Sequence, residues 1–136
     1  MELIIQYFLE EVISLKEKSL ENLNDINFLS DFTDKLNGNL MELGKKITLE
    51  YIKDIEKLIY ESKERKEKYI SYQKGSLANQ RKLITIFGEI EFKRRYYCQK
   101  EDSNKKEYLL DRAIGLKENE RMLINVEENI QNFTNK

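Results

Sequence analysis

Histidine and proline are absent from the chain, cysteine occurs once, at Cys98, and glycine only five times. Without histidine, the usual zinc sites and every acid–base mechanism that turns on an imidazole are excluded. A single thiol closes no internal disulfide, and no nucleophile signature surrounds it, so Cys98 reads as a small buried or half-buried side chain. No proline-rich linker, repeat or low-complexity segment marks a boundary, and the 136 residues read as one domain. Long apolar runs are missing too: Leu3–Phe8 gives way to Glu10 and Glu11, well short of the roughly 20 residues of a membrane span and with no cleavage site. A soluble, cytoplasmic protein with no membrane partner is expected.

Charge is plentiful, 24 basic against 25 acidic residues, and unevenly spread. Residues 63–106 carry a net +7, residues 1–62 carry −6 and residues 107–136 carry −2. A local field of one sign draws polyanions even where the total is near zero. A nucleic acid is therefore expected at the middle segment.

Leu3, Ile4, Phe8, Leu9, Val12, Ile13, Leu15, Leu20 and Leu23 fall mostly at three- and four-residue steps, which predicts an amphipathic helix over about residues 2–23. The Asn- and Asp-rich stretch 22–27 supplies turn and capping side chains, so a second helix is expected to begin near Asn27. From Leu29 through Phe32, Leu36, Leu40, Leu43, Ile47, Tyr51 and Ile55 to Leu58 every step is three or four, the strongest periodic signal in the chain. Gly38 and Gly44 lie inside it and each cost about 1 kcal/mol against alanine, so a kink or close helix crossing is expected there. The stripe reads either as a core face packed on the first helix and the later strands, or as a seam between two copies of the chain. Residues 61–68 are almost wholly charged and read as an exposed helical end, closing a helical part over 1–72.

From Arg81 the period becomes two. Leu83–Phe87 and Ile90–Phe92, around Gly88-Glu89, predict a β-hairpin whose second strand runs on through Arg95, Tyr96 and Tyr97 to Cys98. After a polar turn at 100–106, Tyr108–Leu110 is expected to pair back as a third strand, giving a meander over 81–110. Met122, Leu123, Val126 and Ile130 predict a terminal helix over about 117–132. The fold class is α+β: long amphipathic N-terminal helices, a small antiparallel hairpin or meander, and a short C-terminal helix.

Three runs in order, Glu61-Ser-Lys-Glu-Arg-Lys-Glu-Lys-Tyr69, Arg81-Lys-Leu-Ile-Thr-Ile-Phe-Gly-Glu-Ile-Glu-Phe-Lys-Arg-Arg-Tyr-Tyr97 and Tyr108-Leu-Leu-Asp-Arg-Ala-Ile-Gly-Leu116, closely resemble the amino-terminal region of ISLre-type insertion-sequence transposases. The shared pattern is a charged helix end, a strand, a Phe-Gly-Glu turn, a strand ending Arg-x-Tyr-Tyr, a polar turn, and Leu-Leu-Asp before a Leu-Gly-Leu-like segment. The chain departs from it at Lys117-Glu-Asn-Glu120, where a proline and an aromatic are usual. The resemblance implies the DNA-contacting or assembly region of a transposase, cut off before the carboxylate-bearing catalytic domain. Transposase chemistry needs acidic residues gathered from distant positions around paired divalent cations. Asp111 and Glu89 are isolated carboxylates in a charge-rich chain, so no catalytic residue, metal, cofactor or small-molecule ligand is expected.

Alternation along the second strand puts Lys93, Arg95 and Tyr97 on one face and Phe92, Arg94 and Tyr96 on the other. The first set is expected at the surface and the second inside, with Arg94 reaching out. Arginine and lysine neutralise phosphates, and tyrosine donates to a phosphate or stacks on an exposed base. Arg81, Lys82, Lys93, Arg94, Arg95 and Tyr97 are thus the candidate contacts, and double-stranded DNA the candidate partner. The same charges on an ordinary strand edge would serve only to discourage edge-to-edge pairing. The alternative function is a helical dimerisation or adaptor module with no nucleic-acid partner, and a homodimer is one expected assembly.

Overall fold

The computed structural model describes residues 1–72, 77 and 79–134. It divides into two compact units, Met1–Glu50 and Tyr51–Lys136. The architecture is the α+β arrangement expected. Among the described residues no helix is long and apolar enough to cross a membrane.

In the first unit, α1 spans Glu2–Ser19 and tightens into a 3-10 turn at Leu20–Asn22. The turn that follows puts Asn24 at φ 73, a left-handed conformation that asparagine tolerates, and the Asp25 carboxylate accepts the Asn27 amide at 2.7 Å. The second helix, α2, spans Phe28–Glu61. The Met1 ammonium on Glu50 at 2.7 Å and Lys46 over the Tyr7 ring at 4.9 Å tie the start of α1 to α2, so the two helices run antiparallel here. Ile4, Phe8, Val12 and Leu15 are half-buried, as are Phe32, Leu36, Leu43 and Ile47. No residue of α1 is buried, and the buried residues of α2, Ile52 and Glu56, both belong to the second unit. Two helices offer each other one seam, and without a further layer neither closes over it. The long apolar stripe is therefore half-covered at most, with Leu29, Leu40, Tyr51 and Leu58 exposed. The helix continues through Gly38 and Gly44, and no atom lies within 4 Å of where a Gly38 side chain would start, so the close crossing expected at Gly38 is not found.

The second unit begins with the end of α2. Ser62 ends that helix and starts α3 (Lys63–Lys68), its hydroxyl accepting the Arg65 amide at 3.2 Å. Chain direction then changes into β1 (Tyr69–Ser71), a strand where only a helical end was expected. β2 (Asn79–Thr85) and β3 (Gly88–Arg94) form the expected hairpin, but its turn is Ile86-Phe87, two residues before the Gly88-Glu89 position. Thr85 sets that turn: its hydroxyl donates to the Gly88 carbonyl at 2.8 Å and accepts the Phe87 amide at 3.1 Å, while Gly88 takes φ 107. β3 ends at Arg94 instead of running on to Cys98. The chain breaks at Arg95-Tyr96 and resumes as β4 (Tyr97–Gln99) in a separate three-stranded sheet of order β1-β4-β5, with β5 at Lys106–Glu107.

Tyr108–Leu110, expected as the third strand, instead caps and opens the short helix α4 (Leu109–Ala113). Leu110 is wholly buried, which a helix permits by turning one face inward. The last helix, α5, covers Ile124–Thr134 and starts later than expected. Residues 121–123 meet Ile84 on the hairpin edge, the Ile84 amide bonding to the Arg121 carbonyl at 2.9 Å and the Leu123 amide to the Ile84 carbonyl at 3.0 Å.

Candidate nucleic-acid interface

Strand alternation decides the fate of the basic hairpin. On β2 and β3 the inward set is Arg81, Leu83, Thr85, Ile90, Phe92 and, half-buried, Arg94; the outward set includes Lys82, Ile84, Glu89, Glu91 and Lys93. An arginine turned inward needs a charge partner, because burying it alone is prohibitive. Asp111, carried in by α4 directly after the buried Leu109 and Leu110, supplies it. Arg81 Nη1 lies 2.7 Å from Asp111 Oδ2, and Arg94 Nη1 bonds to the same oxygen. Arg81 Nη2 also donates to the Lys117 and Glu120 carbonyls at 2.7 Å each, fixing the loop that precedes α5.

A second node binds the other two candidates. Glu56 of α2 is 2% exposed; its Oε1 accepts the Tyr97 hydroxyl at 3.2 Å and lies 3.5 Å from Arg95 Nη1. Arg95 also stacks over Tyr60, 4.0 Å from the ring centre. Burial raises the Glu56 carboxyl above its ordinary value, against the pull of the Tyr97 hydroxyl and the Arg95 charge. Burial likewise pushes the Tyr97 phenol far up, with the Glu56 charge adding to the effect.

Of the six residues singled out from the sequence, therefore, Lys82 and Lys93 are exposed, while Arg81 and Tyr97 are buried and Arg94 and Arg95 are largely enclosed in ion pairs. The expectation that Arg95 and Tyr97 share an exposed face with Lys93 is corrected. The strand break at Arg95-Tyr96 resets the alternation that would have carried Tyr97 outward. Lys82 and Lys93 do stand outward, but Lys82 faces Glu91 across the hairpin, which mutes its charge.

The three-stranded sheet supplies what the hairpin does not. Register pairs Ile70 with Cys98 and Cys98 with Lys106, so these three share a face. Tyr72, Tyr96 and Tyr108 extend that face: ring centres of Tyr72 and Tyr96 are 5.9 Å apart and those of Tyr96 and Tyr108 4.5 Å apart, all tilted. Lys106 is exposed, lies 4.6 Å from the centre of the Tyr72 ring and donates to its hydroxyl at 2.8 Å, which holds the ammonium above its usual range. The Arg94 guanidinium sits 3.5 Å over Tyr108. The opposite face of the sheet packs Tyr69 and Tyr97 on Leu109, Ile59 and Tyr60. Nearby, Lys66, Lys68, Lys100 and Lys105 are exposed, and Lys100 crosses to α3, donating to the Lys66 carbonyl at 2.5 Å. Cys98 is buried in the sheet as expected. Among the described residues no three acidic or thiol side chains converge to hold a metal.

Reading by sequence missed Tyr72, Tyr96, Tyr108 and Lys106. The available signal was the parity of Tyr72, Tyr96 and Tyr108 with Lys106, visible only once the strand break at 95–96 is known. Asp111 between Leu110 and an arginine, and Glu56 one turn from both Ile52 and Tyr60, were the signs of buried acids.

The model of the uncharacterised protein family UPF0236 matches residues 22–133. The chain is similar to several UPF0236 proteins of Caldanaerobacter subterraneus subsp. tengcongensis. One, whose name carries eleven locus designations, is 31% identical over 119 residues; another, with four, is 30% identical over the same length. In each case 85% of this chain is covered but only 23% of the relative, so the chain spans about a quarter of the length of the curated relatives it matches. No solved structure matches.

Proposed function

The chain belongs to the UPF0236 family, and on that premise we propose that it is a DNA-binding and assembly region of an insertion-sequence transposase of the ISLre type, without catalytic activity of its own. One relative's name carries eleven locus designations of a single organism, a multiplicity that fits a gene carried on DNA that copies itself. DNA is the partner that such an element offers to a basic surface. The observation that carries the reading is the exposure of Lys66, Lys68, Lys100, Lys105 and Lys106 around a tyrosine-bearing sheet face, within the segment of net +7. Phosphate neutralisation by lysine releases counterions, so binding must weaken steeply with salt.

Fluorescence anisotropy with a labelled duplex tests this. With about three to five phosphates contacted, the logarithm of the binding constant falls with the logarithm of salt at a slope of roughly −3 to −5. Replacing Lys100, Lys105 and Lys106 together by alanine flattens the slope; replacing Lys16, Lys18 and Lys35 does not. Absence of DNA binding at low salt, to duplex and single strand alike, defeats the reading. Arg94 and Arg95 are unsuitable for this test, since each holds a buried acid.

The assembly role is favoured by one further observation: α1 has no buried residue, and Leu3, Ile26 and Leu29 are 80%, 96% and 67% exposed. A second copy of the chain would cover such apolar surface. Light scattering then gives a mass above the monomer that falls when exposed Leu9 and Ile13 are replaced by serine. A strict monomer at high concentration removes this role.

A further inference from the structure

We infer that the tyrosine face of the three-stranded sheet is a stacking platform for unpaired DNA bases, so that the molecule takes single-stranded DNA or a frayed element end in preference to closed duplex. The inference rests on the DNA-binding reading above and names the form of DNA that its site takes.

Tyr72 is 41% exposed and its ring leans on Tyr96, which leans in turn on Tyr108. Mutual support of this kind fixes the outermost ring in place, so little rotamer freedom is left to lose when something stacks on it. Beside the ring stand Lys106, bonded to the Tyr72 hydroxyl, and exposed Ile70, 53% accessible. Aromatic surface next to a cation matches the two halves of a nucleotide, a flat base and a phosphate. In closed duplex the base faces are already stacked on one another and only phosphates and groove edges remain to be touched. A tyrosine face therefore gains a partner only where a base is unpaired. Exposed aromatics on an antiparallel sheet bind single strands on the same physical ground elsewhere.

The test uses the full chain and three probes of one sequence: a single strand, the blunt duplex, and the duplex with an unpaired 3′ extension carrying 2-aminopurine. At a fixed salt concentration the single strand and the extended duplex bind more tightly than the blunt duplex, and 2-aminopurine fluorescence changes on binding. Tyr72→Ala weakens binding of both unpaired probes by about 5- to 150-fold, more than it weakens binding of the blunt duplex. Tyr72→Phe, which keeps the ring and loses only the bond to Lys106, retains the preference; it also serves should the alanine variant fail to fold. Equal affinity for all three probes, or a Tyr72→Ala variant that folds and keeps the preference, overturns the platform while leaving DNA binding standing. Failure of every probe to bind at low salt overturns the DNA-binding reading itself. Loss of the preference in Tyr72→Phe means the hydroxyl–lysine pair, not the ring, carries it, and the stacking inference falls.

Discussion

The two units of this chain solve the problem of burial in opposite ways. Residues 1–50 are regular, periodic and strongly helical, yet not one side chain there is buried. Residues 51–136 are built from short, irregular elements, yet they enclose Tyr97 and Leu110 completely and carry Glu56, Arg81 and Asp111 inside. Periodicity is a statement about one element, whereas a core needs elements from several directions. The helical unit supplies two surfaces and the mixed unit at least four. The mixed unit spends charge to do so: three arginines of its basic segment neutralise two buried acids and are removed from the surface.

The sharpest way to break the contrast is to remove one of those acids. Asp111→Ala leaves Arg81 and Arg94 buried without their shared partner, and losing one side of a buried pair costs about 3–5 kcal/mol. Seven of the eight tyrosines lie in residues 51–136, so tyrosine near-ultraviolet dichroism reports on that unit. Its urea midpoint should drop by about 1–3 M. Glu42→Ala, which removes an exposed bridge to Lys45 in the helical unit, should shift stability by less than about 1 kcal/mol. A midpoint that barely moves in Asp111→Ala would mean that the node is not what organises the mixed unit.

Those same acids mark the boundary of what could be read from the chain. The helices, the hairpin and the α+β class were legible because each follows from local spacing: three and four along α1 and α2, two along β2 and β3. Their limits were less so. The Thr85 hydroxyl moved the turn to Ile86-Phe87, and packing of Leu109 and Leu110 drew the expected third strand into a helix. For the site, the basic segment was visible but the burial of its arginines was not, because Asp111 is 30 residues from Arg81 and Glu56 is 39 from Arg95. Charge counted along a sequence does not distinguish a phosphate contact from an internal ion pair. The tyrosine face was hidden for a related reason, since its register depends on two residues, Arg95 and Tyr96, that leave the sheet.

A smaller effect sharpens the comparison from the helical side. Gly38 is exposed in the interior of α2 with open space where its side chain would be, so Gly38→Ala should stabilise by about 1 kcal/mol through helix propensity alone. Gly115, in the mixed unit, also faces open space but holds φ +76, and alanine there should cost roughly 1–2 kcal/mol. Thermal midpoints moving in opposite directions for the two variants would match; a loss at Gly38 would reveal a neighbour that helix α2 acquires in solution, such as a second copy of the chain.

The smallest effect is the pH dependence of the Glu56 node. Burial raises the carboxyl above its ordinary 4.5, so the folded protein holds this proton more tightly than the unfolded chain does. The resulting contribution to stability is fully present below pH 4.5 and is lost as pH rises through the folded value, opposite to a carboxylate whose value is depressed. Glu56→Gln keeps a side-chain acceptor for the Tyr97 hydroxyl and never ionises, so it lacks this dependence. The stability of the wild type relative to Glu56→Gln should therefore be highest near pH 4 and decline toward pH 7, measured as paired urea midpoints across that range. A difference that grows toward neutrality would show that the Arg95 charge outweighs the burial of Glu56, and that the node stabilises through its ion pair and not in spite of its desolvation.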